Sequence, residues 1–262
     1  MLVNSKGLTP GLSTAKPFAS IGLGQGLACG AAAAHRSAPI SRRGCPAHNH
    51  GIQWIAKSAR PLMSGVEQIT MEGQMSKPRI LLNLFHPNIN NSRGNKILSE
   101  RVRDLTELTF RDVYREYPDA KINVEHEQQL LLDHDLIVFQ HPFYWYSCPS
   151  LLKEWEDRVL EQGFAYPPGI GDKLNGKHWL TVITTGGPED AYRSGGFNNY
   201  TISELLRPFQ QTANLCGMKW LPPIVVHSVL PAGIEGFKNI SDDEIMKHAE
   251  EYREFLEGYT ME

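Results

Sequence analysis

Four short, almost unbroken apolar runs constrain this chain most: RILLNLF at 79–85, LIVFQ at 136–140, HWLTVITT at 178–185 and IVVHSV at 224–229. A strand that is apolar without alternation is buried on both faces. A sheet is covered on both faces when its strands run parallel and helices return across it. Helical patterns do separate the runs. Ser92 opens one, with Ile97, Val102, Leu105 and Leu108 as its apolar stripe. Residues 125–134 and 149–161 read as two more. A fourth spans 202–217, with Gly217 as its stop and Pro208 forcing a kink or a late start. Ser241 and Glu244 form a capping box for a last helix over 242–257. TFRDVY at 109–114 adds a strand between the first two helices. The expectation is an α/β fold with a five-stranded parallel sheet between two helical layers.

In such sheets ligands sit beyond the carboxyl ends of the strands. That rule selects three loops: 86–95, 141–149 and 186–200. In the first, HPNINNSRGN, the residues Ser92, Gly94 and Asn95 place donors at a helix start, which suits a phosphate. Arg93 adds charge there and His86 a further donor. The same residues also read as a plain helix cap and turn. The second loop puts Phe143, Tyr144, Trp145 and Tyr146 at a strand tip, either as an apolar slot for a flat ligand or as core. In the third, Thr184, Thr185, Gly186 and Gly187 allow close backbone approach, and Tyr192 offers a phenol. Its bland alternative is a flexible loop with helix-start chemistry at Asn198 or Asn199. Three unusual loops at one sheet edge point to one site.

Charge is unevenly spread. Residues 1–74 hold seven Lys/Arg and two Asp/Glu, whereas 75–262 hold 19 and 27. The acidic part argues against nucleic acid as a partner, because phosphate binding needs a positive footprint. The basic, acid-poor segment 1–74 reads as a disordered tail, a targeting segment or an upstream start misassigned ahead of Met63, Met71 or Met75; composition favours the last. Gly22, Gly24 and Gly26 fail as a dinucleotide fingerprint because Leu27 stands where the third glycine is needed. Cys29 follows small residues, as in a lipoprotein signal, but a long polar stretch precedes it. None of Cys29, Cys45, Cys148 and Cys216 forms a C-x-x-C pair, and no zinc-type set accompanies them, so a reduced intracellular protein without a metal is expected. No apolar run reaches the roughly 20 residues that span a bilayer.

HP…NSRGN, LIVFQHPFYWYSCPSLLKEWEDRVL, GFAY, LNGKHWLTVITTGG and GMKWLPP, taken in order, resemble the flavodoxin-like NAD(P)H quinone reductase family. The likeness is greatest to the KefG and KefF ancillary proteins of glutathione-regulated potassium-efflux systems and covers about residues 78–256. It implies a flavodoxin-like three-layer sandwich that binds FMN rather than FAD, with NAD(P)H as co-substrate and a quinone as acceptor. It also implies a homodimer, a Kef-type potassium/proton antiporter as partner, and a cytoplasmic place at the inner membrane through that partner. By motif, His86, Ser92, Arg93, Gly94 and Asn95 would hold the flavin phosphate side. Phe143, Tyr144, Trp145 and Tyr146 would border the ring system, and Thr184, Thr185, Gly186 and Gly187 would meet its polar edge. Tyr192 matches a tyrosine that handles charge in mammalian relatives, but Asn198 stands where they carry a histidine. A non-catalytic regulatory subunit and an electron carrier are the competing functions. Cys148 is expected to be inert, Cys216 and His227 to be core, and Trp155 to be either core or a contact to a second subunit.

Overall fold

The computed structural model describes residues 77–231 and 238–261; the expectations for residues 1–74, including those for Cys29 and Cys45, lie outside them. The strands are β1 (Ile80–Leu84), β2 (Leu108–Asp112), β3 (Leu136–Pro142), β4 (His178–Thr184), β5 (Lys219–Trp220) and β6 (Ile224–Val226). All pair in parallel, in the order β2-β1-β3-β4-β5, and β6 pairs with the far half of β4. The sheet thus has five strand positions, the fifth filled by two segments. β5 opposes His178 and Trp179 while β6 opposes Val182 to Thr184. The anticipated single strand over 224–229 is therefore shorter and is preceded by Lys219–Trp220, with Pro222–Pro223 between the two segments removing two ladder donors.

The helices are α1 (Gly94–Val102), α2 (Val113–Glu116), α3 (Val124–Asp133), α4 (Ser150–Val159), α5 (Ile202–Leu205), α6 (Arg207–Leu215) and α7 (Asp242–Glu257). Side chains alternate across the sheet, so each buried strand feeds two cores. Leu82, Leu84, Val138, Leu180 and Val182 pack with α1 and α7, while Leu81, Ile137, Phe139, Trp179 and Ile183 pack with α3, α4 and α6. The expected capping box forms at Ser241–Glu244, and a second, not anticipated, forms at Thr201–Glu204. Pro208 starts α6 instead of kinking a longer helix, because at the first turn its missing N–H costs nothing.

β2 stops at Asp112, two residues short of the expected end. Its carboxylate accepts the Arg115 N–H and caps α2 instead. Trp155 is fully buried, which removes it from any subunit contact. Its ring stands edge-on to Phe139 at 5.3 Å, and Phe139 stacks on Trp179 at 4.1 Å. The Trp155 indole N–H donates to Glu127 at 2.8 Å. Glu127 also accepts from Tyr117 and, through both oxygens, from Arg111, which reaches Glu116 as well. Burial pushes the Glu127 carboxyl up, and the donors around it more than reverse this, holding it below the usual carboxylate range. Removing one partner from such a buried pair costs about 3–5 kcal/mol, because the other charge is left uncompensated.

Glu156 has no such partners. It is buried in α4 with Oε1 unpaired, and burial pushes its carboxyl up to about 7. A raised folded pKa means the native state holds a proton that the unfolded chain releases near 4.5, so stability falls as pH rises from that value through about 7. Glu156→Gln, which mimics the protonated acid, is expected to match the parent near pH 4. At pH 8 it should be more stable by on the order of 3 kcal/mol, at about 1.36 kcal/mol per pKa unit. Thermal denaturation at the two pH values reads the difference, and equal gains at both would contradict it.

Candidate functional site

Because every strand is parallel, β1, β3, β4 and β6 all end at one edge. The loops that leave this edge are tied together by backbone. Phe143 N–H donates to Thr184 O at 2.9 Å, Thr185 N–H to Val226 O at 2.9 Å, and Val229 N–H to Thr185 O at 2.8 Å. Between them lies a cavity of about 800 Å³. It is walled by Phe143, Trp145 and Tyr146 from the second loop, by the stretch from Gly186 to Asn198, and by Leu230 and Pro231 beyond β6.

The second loop differs from expectation at its start. His141 and Pro142 complete β3, opposite Ile183 and Thr184, and are not loop residues. The His141 ring is fully buried 6.0 Å from Phe209. Tyr144–Tyr146 then form one tight turn in which Trp145 (φ +50°) and Tyr146 (φ +62°) are both left-handed. Such backbone costs about 1–2 kcal/mol per non-glycine residue, and strain of this kind gathers at binding sites. The turn throws the Trp145 ring outward, 93% exposed at the cavity mouth, facing a region that also holds Phe197 at 88%. Tyr146 lines the wall, and its hydroxyl donates to Asn198 Oδ1 at 3.2 Å. Tyr144 is exposed and does not line the cavity.

The third loop lies close against its neighbours. A Cβ on Gly187 would come within 3.2 Å of the Tyr192 ring, and one on Gly186 within 2.9 Å of Leu230 Cδ2. Both positions therefore bring bare backbone to the wall. Tyr192 is half-buried, edge-on to Phe143 at 6.3 Å. Burial pushes its phenol up, opposed by hydrogen bonding from the Thr185 hydroxyl and the Gly187 backbone, so it stays protonated at neutral pH. Cys148 is likewise pushed up by burial, to about 11, which leaves it an unreactive thiol.

The first loop does not reach the cavity wall. It supports that wall from beneath. Asn95 is buried, and its amide donates to Thr184 Oγ1 at 2.9 Å, while Gln140 Nε2 donates to the Asn95 carbonyl at 2.9 Å. Asn95 and Thr184 thus form a clip between α1, β3 and β4, in which the Asn95 amide is engaged and the Thr184 hydroxyl accepts. Arg93 is also committed elsewhere. Its guanidinium donates to Asp242, Asn239 and the carbonyls of Leu230 and Ile240, so it anchors the loop to the start of α7. What remains at α1 is its N-terminus, whose first-turn amides have no intrahelical partner. Ser92 Oγ accepts the Asn95 N–H at 3.2 Å and keeps its own proton to donate. His86 Nδ1 accepts from Asn88 N–H at 3.1 Å, which puts the proton of the neutral ring on Nε2. Burial lowers its pKa, favouring that neutral form.

Elsewhere, Glu116, His126 and Glu127 bring ligand-type atoms together, but both Glu127 oxygens are already taken by Arg111. Among the described residues no helix is long and apolar enough to cross a membrane.

Residues 78–256 match the flavodoxin-like fold family. The glutathione-regulated potassium-efflux system ancillary protein KefG of Serratia proteamaculans is 53% identical over 150 residues, 57% of this chain and 81% of that protein. The KefG of Erwinia tasmaniensis is 46% identical over 182 residues, 69% and 94% of the two chains. General stress protein 14 of Treponema denticola, solved with FMN, has a TM-score of 0.62 at 36% identity, covering 69% of this chain and 98% of its own. An NADPH-quinone reductase from P. pentosaceus has a TM-score of 0.60 at 32% identity, covering 70% and 99%. A chain described as a thermophilic tryptophan halogenase from Streptomycin violaceusniger has a TM-score of 0.62 at 45% identity, covering 69% and 99%; its name states a different chemistry, and only the fold is taken from it.

The close approach of α1 to β4 rests on a missing side chain. A Cβ on Gly94 would lie 2.8 Å from Val229 Cγ1 and 2.9 Å from Thr184 Cγ2, both on stiff β-branched residues. Gly94→Ala is expected to destabilise the fold by about 1–3 kcal/mol through overpacking. Gly186→Ala should cost less, since only the tip of Leu230 must move. Denaturant titration of the two variants compares them, and an equal or reversed order would show that α1 is not held this tightly.

Proposed function

The chain belongs to the flavodoxin-like fold family, and from that membership we propose that it is an FMN-dependent NAD(P)H:quinone oxidoreductase ancillary to a Kef-type potassium-efflux antiporter. The observation that carries the reading is the cavity: an aromatic slot at the strand ends, closed on one side by the bare backbone of Gly186 and Gly187. A flat ring system with a polar edge fits this arrangement, and an FMN-bound neighbour favours FMN over FAD. Bound FMN supplies two-electron transfer from NAD(P)H to a quinone.

The residues divide that work. The α1 N-terminus, with the amides of Arg93 and Gly94, the Ser92 hydroxyl and His86 Nε2–H, would take the phosphate. Phe143, Trp145 and Tyr146 would flank the ring, Tyr146 held by Asn198. Gly186 and Gly187 would set backbone groups at its polar edge. The side chains of Asn95, Gln140, Thr184 and Arg93 keep these parts in register. Tyr192, protonated at neutral pH, would donate to an acceptor oxygen in the cavity. The exposed rings of Trp145 and Phe197 leave apolar surface at the mouth for a quinone and for a second copy in a homodimer. A regulatory subunit without turnover is the second reading, favoured by relatives named as ancillary proteins of an efflux system.

An absorption spectrum of the FMN-loaded full chain, followed by anaerobic NADPH and then a quinone, tests the two. The expected record is a flavin band that bleaches and returns. Tyr192→Phe should slow the return by about tenfold, less than a full general acid contributes. Failure to take up FMN would sink the reductase reading and leave the regulatory one.

A further inference from the structure

Tyr192 separates two cavities. Behind the main one lies a second, of about 280 Å³, lined by Glu189, Ile202, Ser203, Pro223, Val225 and His227 together with Tyr192, which is the only residue the two cavities share. His227 follows β6 directly and is half-buried. Its ring lies 5.5 Å from that of Tyr192, and its Nδ1 is 3.0 Å from Thr185 Oγ1. The Thr185 hydroxyl donates to Gly187 O at 2.9 Å, so it must accept from His227, which places the imidazole proton on Nδ1. Thr185 also acts on the Tyr192 phenol, whose ionised form it favours, so its hydroxyl lies within reach of that oxygen. Nε2 is left without a proton, in a ring that lines the second cavity.

We propose that His227 and Thr185 resupply, from water in the second cavity, the proton that Tyr192 gives up in the main one; this rests on the reductase reading of the main cavity. The protons balance. Tyr192 releases one to the acceptor oxygen, and the Thr185 hydroxyl then turns from Gly187 O to the phenolate and gives up its proton to it. Thr185 takes the proton of His227 Nδ1, and His227 gains one at Nε2. Rotation of the ring or exchange with water restores the starting tautomer. One proton enters, one leaves, and no residue keeps a net charge. His227 is thus a positioning and proton-supplying residue that acts through Tyr192. Burial lowers its pKa most, against Glu189 and the Gly187 backbone, which favour the protonated form, and with His248 of α7, which opposes it, so the ring rests neutral. His248 is itself paired with Glu251.

Imidazole nitrogen NMR of the full chain and two-phase kinetics of the FMN-loaded protein test this together. The expected spectrum shows His227 as the neutral Nδ1–H tautomer, with its Nδ1 resonance shifting in Thr185→Val and in Tyr192→Phe. His227→Gln and Thr185→Val should each slow quinone reduction about tenfold more than they slow the NADPH phase, a loss below that of a full general acid because both act through Tyr192. Each should also enlarge the solvent deuterium isotope effect on the quinone phase. An Nε2–H tautomer, or equal loss in both phases with an unchanged isotope effect, would overturn the proposal. A protein that shows the Nδ1–H tautomer but never turns over would instead overturn the reductase reading, and the supply role with it.

Discussion

The pairing of β3 with β4 is the constraint from which the rest follows. Seven residues of each strand are buried and run in register from Leu136 opposite His178 to Pro142 opposite Thr184. A ladder closed to solvent on both faces leaves its chemistry nowhere to appear except at the ends. At the carboxyl end the ladder continues into the loops through Phe143 and Thr185, so the loop backbones inherit the sheet's rigidity. A site built on such ends is held by the core itself, which is what a preorganised cofactor pocket requires.

Polar groups inside the sheet mark where that rigidity is cross-braced. Gln140, Asn95 and Thr184 join β3, α1 and β4 at one level. Arg111, Glu127, Tyr117 and Trp155 do the same for β2, α3 and α4 near the other face. The two clusters differ in cost. A neutral amide clip loses little if it loosens, whereas a desolvated ion pair loses several kcal/mol. Glu156, buried without a partner, belongs to neither.

The strands and helices were legible because their apolar runs are continuous and their caps are explicit, as at Ser241–Glu244. The ends were less so. Pro142 and His141 looked like loop chemistry, yet a proline can close a strand where no further donor is needed. Lys219–Trp220 is too short to leave a period. The three loops were found by the strand-end rule, and the same rule applied to β6 would have added Leu230 and Pro231 to the cavity wall. What no local pattern could reveal was the destination of long side chains. Arg93 meets Asp242, 149 residues away, and Asn95 meets Thr184, 89 away. Both carried the right chemistry for a ligand and spend it on the scaffold. His227 was expected to be a satisfied core residue. It is hydrogen-bonded as a core histidine would be, yet it stands beside a cavity.

The paired left-handed residues Trp145 and Tyr146 have a consequence for the thermodynamics of recognition. Glycine would adopt that turn without strain, but it would bring no ring and would leave the free loop many shapes to lose. Two aromatic residues in the same backbone accept the strain in advance and enter an encounter with most of their conformational freedom already gone. Association at this edge should therefore carry a small entropic penalty from the loop, and its heat signature should reflect ring contact and released water more than ordering of the chain.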